Sequence, residues 1–131
     1  MKKVILLACL AMLANCSGSE LGDCDQPARL TLAVSANPMT LNEEILVVSH
    51  GVDNFCRSVP EGTLIQFYVN GYGYYFTKNG KDQIDAYATE LGASVELVAT
   101  QILGQRASLN AVMVIDGEII EATPIELTVT R

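Results

Sequence analysis

The chain has 131 residues, half of them apolar, with no tryptophan and only 18% charged side chains. That length supports one hydrophobic core rather than two, and the apolar share excludes a disordered chain. Fifteen Asp and Glu against eight Lys and Arg give a formal charge of −7, which sets the molecule against nucleic acid and anionic lipid as partners.

Residues 1–15 read as a targeting segment. Lys2 and Lys3 form a basic start, and Val4 to Ala14 is an uninterrupted apolar run. About eleven residues fall short of the roughly 20 needed to span a bilayer, so the run is expected to be a signal-peptide core rather than a permanent span. It ends in "LANC", Leu13 to Cys16. This stretch resembles the lipobox of bacterial lipoproteins, in which the cysteine is lipidated and becomes the new N-terminus. Leu13 and Ala14 fit positions −3 and −2, while Asn15 departs from the usual small residue at −1. The resemblance implies lipidation of Cys16, and the alternative is ordinary cleavage nearby that releases a soluble secreted domain.

Acyl chains hold a protein on a membrane through roughly 0.8 kcal/mol per buried methylene, so two or three chains anchor stably where one does not. The mature chain would keep six Lys and Arg against fifteen acids, a formal charge of −9. Residues 16–27, "CSGSELGDCDQP", are small, polar and acidic, as a lipidated tether would be. With Cys9 removed and Cys16 lipidated, Cys24 and Cys56 remain, and an exported protein is expected to pair them as a disulfide. Closing a loop of about 30 residues in this way stabilises by roughly 3 kcal/mol in the chain-entropy model.

From Ala28 the pattern changes to period-two alternation between turn signals, the mark of half-buried strands. Leu30, Leu32 and Val34 alternate with polar or small residues before "ANPMTLNEE" breaks the run. Ile45 to His50 is a more continuous apolar strand, and "GVDNFCRSVPEGT" is a long turn region. Ile65, Phe67 and Val69 alternate up to Gly71, and Val95, Leu97 and Ala99 alternate before a turn at Gly104. Ala107, Leu109, Ala111 and Met113 follow, then "IDGE", whose Asp-Gly pair is a strong hairpin signal. Ile125, Leu127 and Val129 close the series. The expected fold is all-β, an antiparallel sandwich of about seven strands over residues 28–131. "KDQIDAYATELGA", Lys81 to Ala93, fits two readings. Ile84, Tyr87, Ala88 and Leu91 have helical spacing, and the alternative is a strand and turn between the sheets.

Four pieces, "LTLAVSANPMTL", "VPEGTLIQFYV", "TELGASVELVAT" and "ILGQRASLNAVM", resemble the bacterial Ig-like domains of the invasin and intimin type. Val59, Pro60, Gly62, Ile65 and Phe67 match one recurring piece of that pattern, and Thr89, Gly92 and Ser94 approximate another. The resemblance covers residues 29–131 and implies an Ig-like sandwich serving adhesion or surface interaction. Its motifs are turn and packing motifs, with Pro60 stiffening a turn and Gly62 supplying its backbone freedom. Cys24 and Cys56 would pin the leader to a loop rather than bridge the sheets as in antibody domains.

Candidate sites are few. "FYVNGYGYYF" concentrates tyrosines around two glycines, so Tyr72, Tyr74 and Tyr75 form a candidate binding patch, or else are strand formers with one face buried. Asp82, Asp85 and Glu90, or Asp116, Glu118 and Glu121, offer oxygens for calcium but lack a recognisable loop spacing, and read as solvated charge. The single histidine, His50, reads as a solvated or hydrogen-bonded strand residue rather than a metal ligand. No nucleophile elbow, zinc-protease motif or phosphate loop is present, so neither an enzyme nor a cofactor is expected. The reading is a non-enzymatic protein of the bacterial cell envelope, held at the outer membrane, on its periplasmic or surface face, through Cys16, with a protein partner and no nucleic acid. An accessory subunit of an envelope assembly is the alternative.

Overall fold

The computed structural model describes residues 26–101 and 106–131. The expected signal peptide of residues 1–15, Cys16, Cys24, most of the expected tether of residues 16–27 and the expected Gly104 turn lie outside the described residues.

Eleven strands and no helix make up the described chain: β1 (Arg29–Val34), β2 (Met39–Thr40), β3 (Glu44–Val52), β4 (Leu64–Asn70), β5 (Tyr74–Phe76), β6 (Gln83–Tyr87), β7 (Ala93–Ala99), β8 (Ala107–Ile115), β9 (Glu118–Glu121), β10 (Ile125–Leu127) and β11 (Val129–Thr130). One sheet runs β1-β3-β7-β5, and the other β9-β8-β4-β6 with β10 also on β8, all antiparallel. A short parallel pair of β2 and β11 joins the opening and closing segments. The two sheets pack as a sandwich.

Alternation places the core as the sequence implies. Ile45 and Val47 of β3 and Leu97 and Ala99 of β7 face Ile65, Phe67 and Val69 of β4 and Leu109, Ala111 and Met113 of β8, all buried. Phe67 and Phe76, one from each sheet, meet with ring centroids 6.5 Å apart and planes tilted by 60°, a favourable aromatic geometry. Ser49 is the buried polar residue of the core, and its hydroxyl donates to the Thr31 carbonyl at 2.7 Å, so its desolvation is compensated.

Turn chemistry sets the register. Asp116 and Gly117 take φ of 51° and 79°, the two left-handed residues of a type I′ hairpin, and join β8 to β9 as the Asp-Gly pair predicts. Gly62 has the left-handed φ expected of it. Pro124 lies between β9 and β10. It lacks a ladder donor, so the last antiparallel partner of β8 is broken into two pieces. The amide of Asn37 bridges the opposite ends of the chain: its Nδ2 donates to the Glu126 carbonyl at 2.9 Å and its Oδ1 accepts from the Thr128 N–H at 3.3 Å.

One expectation is corrected here, and one open reading is decided. The strands are more numerous than about seven, because β2, β5 and β6 are short segments whose pairing, not whose alternation, defines them. Of the two readings of Lys81 to Ala93 the strand and turn holds: Gln83–Tyr87 pairs with β4 as β6, a turn follows, and Ala93 opens β7. Thr89 and Gly92 exchange backbone hydrogen bonds at 3.0 and 2.9 Å, and the Thr89 hydroxyl donates to the Gly92 carbonyl at 2.8 Å. The helical spacing loses because β4 offers a complete ladder to Gln83–Tyr87, and of the four residues at helical spacing only Ile84 and Ala88 are buried.

Candidate functional site

The tyrosine segment does not form one patch. Tyr72, in the turn between β4 and β5, is 66% exposed, but Tyr74 is only 5% exposed and belongs to the core. Tyr75 is half-buried on the outer face beside Val98. Because Tyr74 to Phe76 is a strand, alternate residues point to opposite faces, which separates Tyr74 from its neighbours. The Tyr74 hydroxyl is buried without a hydrogen-bond partner among the described residues. Burial pushes its pKa above the usual tyrosine value.

The loop after β3 is built around Asp53. One carboxylate oxygen accepts the N–H groups of Phe55 at 2.8 Å and Arg57 at 3.0 Å, and the other lies 3.5 Å from Arg57 Nε. The Arg57 guanidinium also covers the Phe55 ring at 5.0 Å. This frame holds Cys56 at a left-handed φ of 62°, with its N–H donating to the Asp53 carbonyl. Cys56 is engaged in a disulfide. Cys24, the partner expected for it, lies outside the described residues. His50 Nε2 lies 3.0 Å from Ser58 Oγ, the hydrogen-bonded role expected of it.

Among the described residues, no cluster of three or more His, Cys, Asp or Glu is placed to hold a metal ion, and Asp82, Asp85, Glu90, Asp116, Glu118 and Glu121 do not converge on one. No described helix is long and apolar enough to cross a membrane.

The most prominent surface feature lies on the outer face of the β9-β8-β4-β6 sheet, away from the tyrosine turn. Leu64 stands opposite Tyr87, and Val114 stands opposite Ile119. Continuing the β4–β8 register by one residue brings Leu64 beside Val114. Four apolar side chains therefore form a single row across four strands, about 14 Å long at the usual strand spacing. Tyr87 is 63%, Val114 49% and Ile119 69% exposed, with Leu64 half-buried between its neighbours. The next row reads Asp85, Gln66, Val112, Glu121, and Gln66 Nε2 donates to Asp85 at 3.0 Å. Sequence reasoning missed the apolar row because its members come from three distant segments, Leu64, Tyr87 and the Val114–Ile119 hairpin. The available signal was Val114 and Ile119, apolar residues on the non-core parity of a hairpin whose other parity already fills the core.

Compared with protein-family models, characterised proteins and solved structures, the chain matches none.

Proposed function

We propose that this chain is a non-enzymatic, lipid-anchored protein of the bacterial cell envelope whose single Ig-like module binds another envelope or surface molecule. The exposed apolar row of Tyr87, Leu64, Val114 and Ile119 carries the binding part of this reading. Exposed contiguous apolar surface is costly in water, and where it occurs on a folded body it marks contact sites. "LANCSGSE", Leu13 to Glu20, carries the anchor.

The Ig-like assignment is supported by strand order. β1, β3, β7 and β5 follow the A-B-E-D order of constant-type Ig sheets, with β8 and β4 as F and C and the β9–β10 edge as G. The additional strand β6 extends the second sheet, although it follows β5 in the chain instead of preceding it. The accessory-subunit reading draws on the same row, since a face of this kind suits a standing partner as well as a transient one.

The anchor is tested by fractionating cells that express the wild type and Cys16→Ser, and by weighing the mature N-terminus. The expected result is a membrane-bound wild type carrying an acyl mass increment, and loss of both in the variant. An unmodified wild type found in the soluble fraction would overturn the anchor.

A further inference from the structure

We infer that the outer face of the β9-β8-β4-β6 sheet docks a protein segment whose apolar side chains are bordered by lysine or arginine. The inference rests on the reading of that face as the contact surface and adds the chemistry of what it contacts.

Charge decides between the possible occupants. The five strands that make this sheet contain Asp85, Glu118, Glu121 and Glu126 and no lysine or arginine. Asp85 and Glu121 sit at the two ends of the row next to the apolar one, and Asp116 lies in the hairpin turn beyond Val114. Arg106, just ahead of β8, is already paired with Glu126 at 3.4 Å. A basic rim on a partner therefore meets Asp85 and Glu121 along one side of the apolar contact and Asp116 at the hairpin turn, which fixes its position and speeds its capture. A second copy of this chain would bring the same acids together across a two-fold axis, where like charges oppose association. Anionic lipid is repelled by the same groups. A row about 14 Å long corresponds to about nine residues of helix at 1.5 Å per residue, so an amphipathic helix with apolar residues at i, i+3 or i+4, i+7 and i+10 or i+11 is long enough to cover it.

The test uses the full chain, in zwitterionic nanodiscs if it fractionates with membranes and in buffer if it does not. The probes are two dye-labelled 18-residue amphipathic peptides of one apolar pattern, one of Leu and Lys and one of Leu and Glu, with empty nanodiscs as blank. The Leu/Lys peptide is expected to bind at least tenfold more tightly than the Leu/Glu peptide. Val114→Lys with Ile119→Lys should weaken it by a further tenfold or more, and Asp85→Asn with Glu121→Gln should reduce its salt dependence. Leu46→Lys, on the other sheet's outer face, should leave binding unchanged; all three sets change exposed side chains and leave the core intact. Equal binding of both peptides, or indifference to the Val114 and Ile119 changes, would overturn the proposal. So would sedimentation as a dimer dissolved by those changes, or equally row-dependent binding to phosphatidylethanolamine/phosphatidylglycerol vesicles. Peptide binding by a chain that proves soluble would remove the lipid anchor and leave this inference standing. An anchored chain that ignores the peptide would remove this inference alone.

Discussion

Tyr74 shows how a single residue can be assigned the wrong side of a strand. Its neighbours Tyr72 and Tyr75 reach solvent, yet its own ring fills the core and its hydroxyl has no hydrogen-bond partner among the described residues. An unsatisfied buried hydroxyl costs stability, so Tyr74→Phe should be neutral or stabilising by up to about 1 kcal/mol in urea unfolding. The same burial raises the hydroxyl's pKa above its ordinary value. The folded state therefore keeps this proton at a pH where the unfolded chain releases it. Its contribution is fully present below about pH 10 and is lost as pH rises through the folded value. Wild-type stability should decline more steeply with pH above about 10 than that of Tyr74→Phe, which is checked by urea midpoints at pH 8 and 10.5.

At the scale of elements, the turn from β6 to β7 decides whether Lys81 to Ala93 behaves as a strand and turn. Gly92 has φ of 96°, and a Cβ there would stand 2.5 Å from the Ser49 carbonyl oxygen. Both obstacles involve backbone and cannot be relieved by a rotamer change. Gly92→Ala should lower the unfolding free energy by about 2–3 kcal/mol, read from the urea midpoint, whereas alanine at Gly62, which has open space around it, should cost less. The expectations that held at this scale rest on local chemistry. The Asp116–Gly117 hairpin was legible because only a few residue pairs accept two successive left-handed conformations, and β1, β3, β4, β7 and β8 were legible because one parity of each is apolar. β5 and β6 were legible only as one of two readings, because three or five residues carry too little alternation to decide against a tyrosine patch or a helical spacing. Only their partners, β7 and β4, settle them.

For the whole molecule, the principal covalent constraint is the disulfide at Cys56. If its partner is Cys24, the pairing expected from the sequence, the bond ties the leader to the Asp53 loop. Cys56→Ser, or reduction, should then lower the unfolding free energy by roughly 3 kcal/mol. Thiol labelling of the folded, unreduced protein should find neither cysteine reactive, and labelling of Cys24 or Cys56 would exclude the pairing. The sequence by itself determined the all-β class and the core-facing residues, since burying one side of a pleated strand demands an apolar residue at every second position. It also carried the lipobox-like stretch, a linear signal that needs no fold to be read. Only the tertiary structure decided which tyrosines are buried and which outward residues stand together. Tyr87, Leu64, Val114 and Ile119 are scattered over more than fifty positions and meet because strand register, a property of pairing between distant segments, brings them into one row.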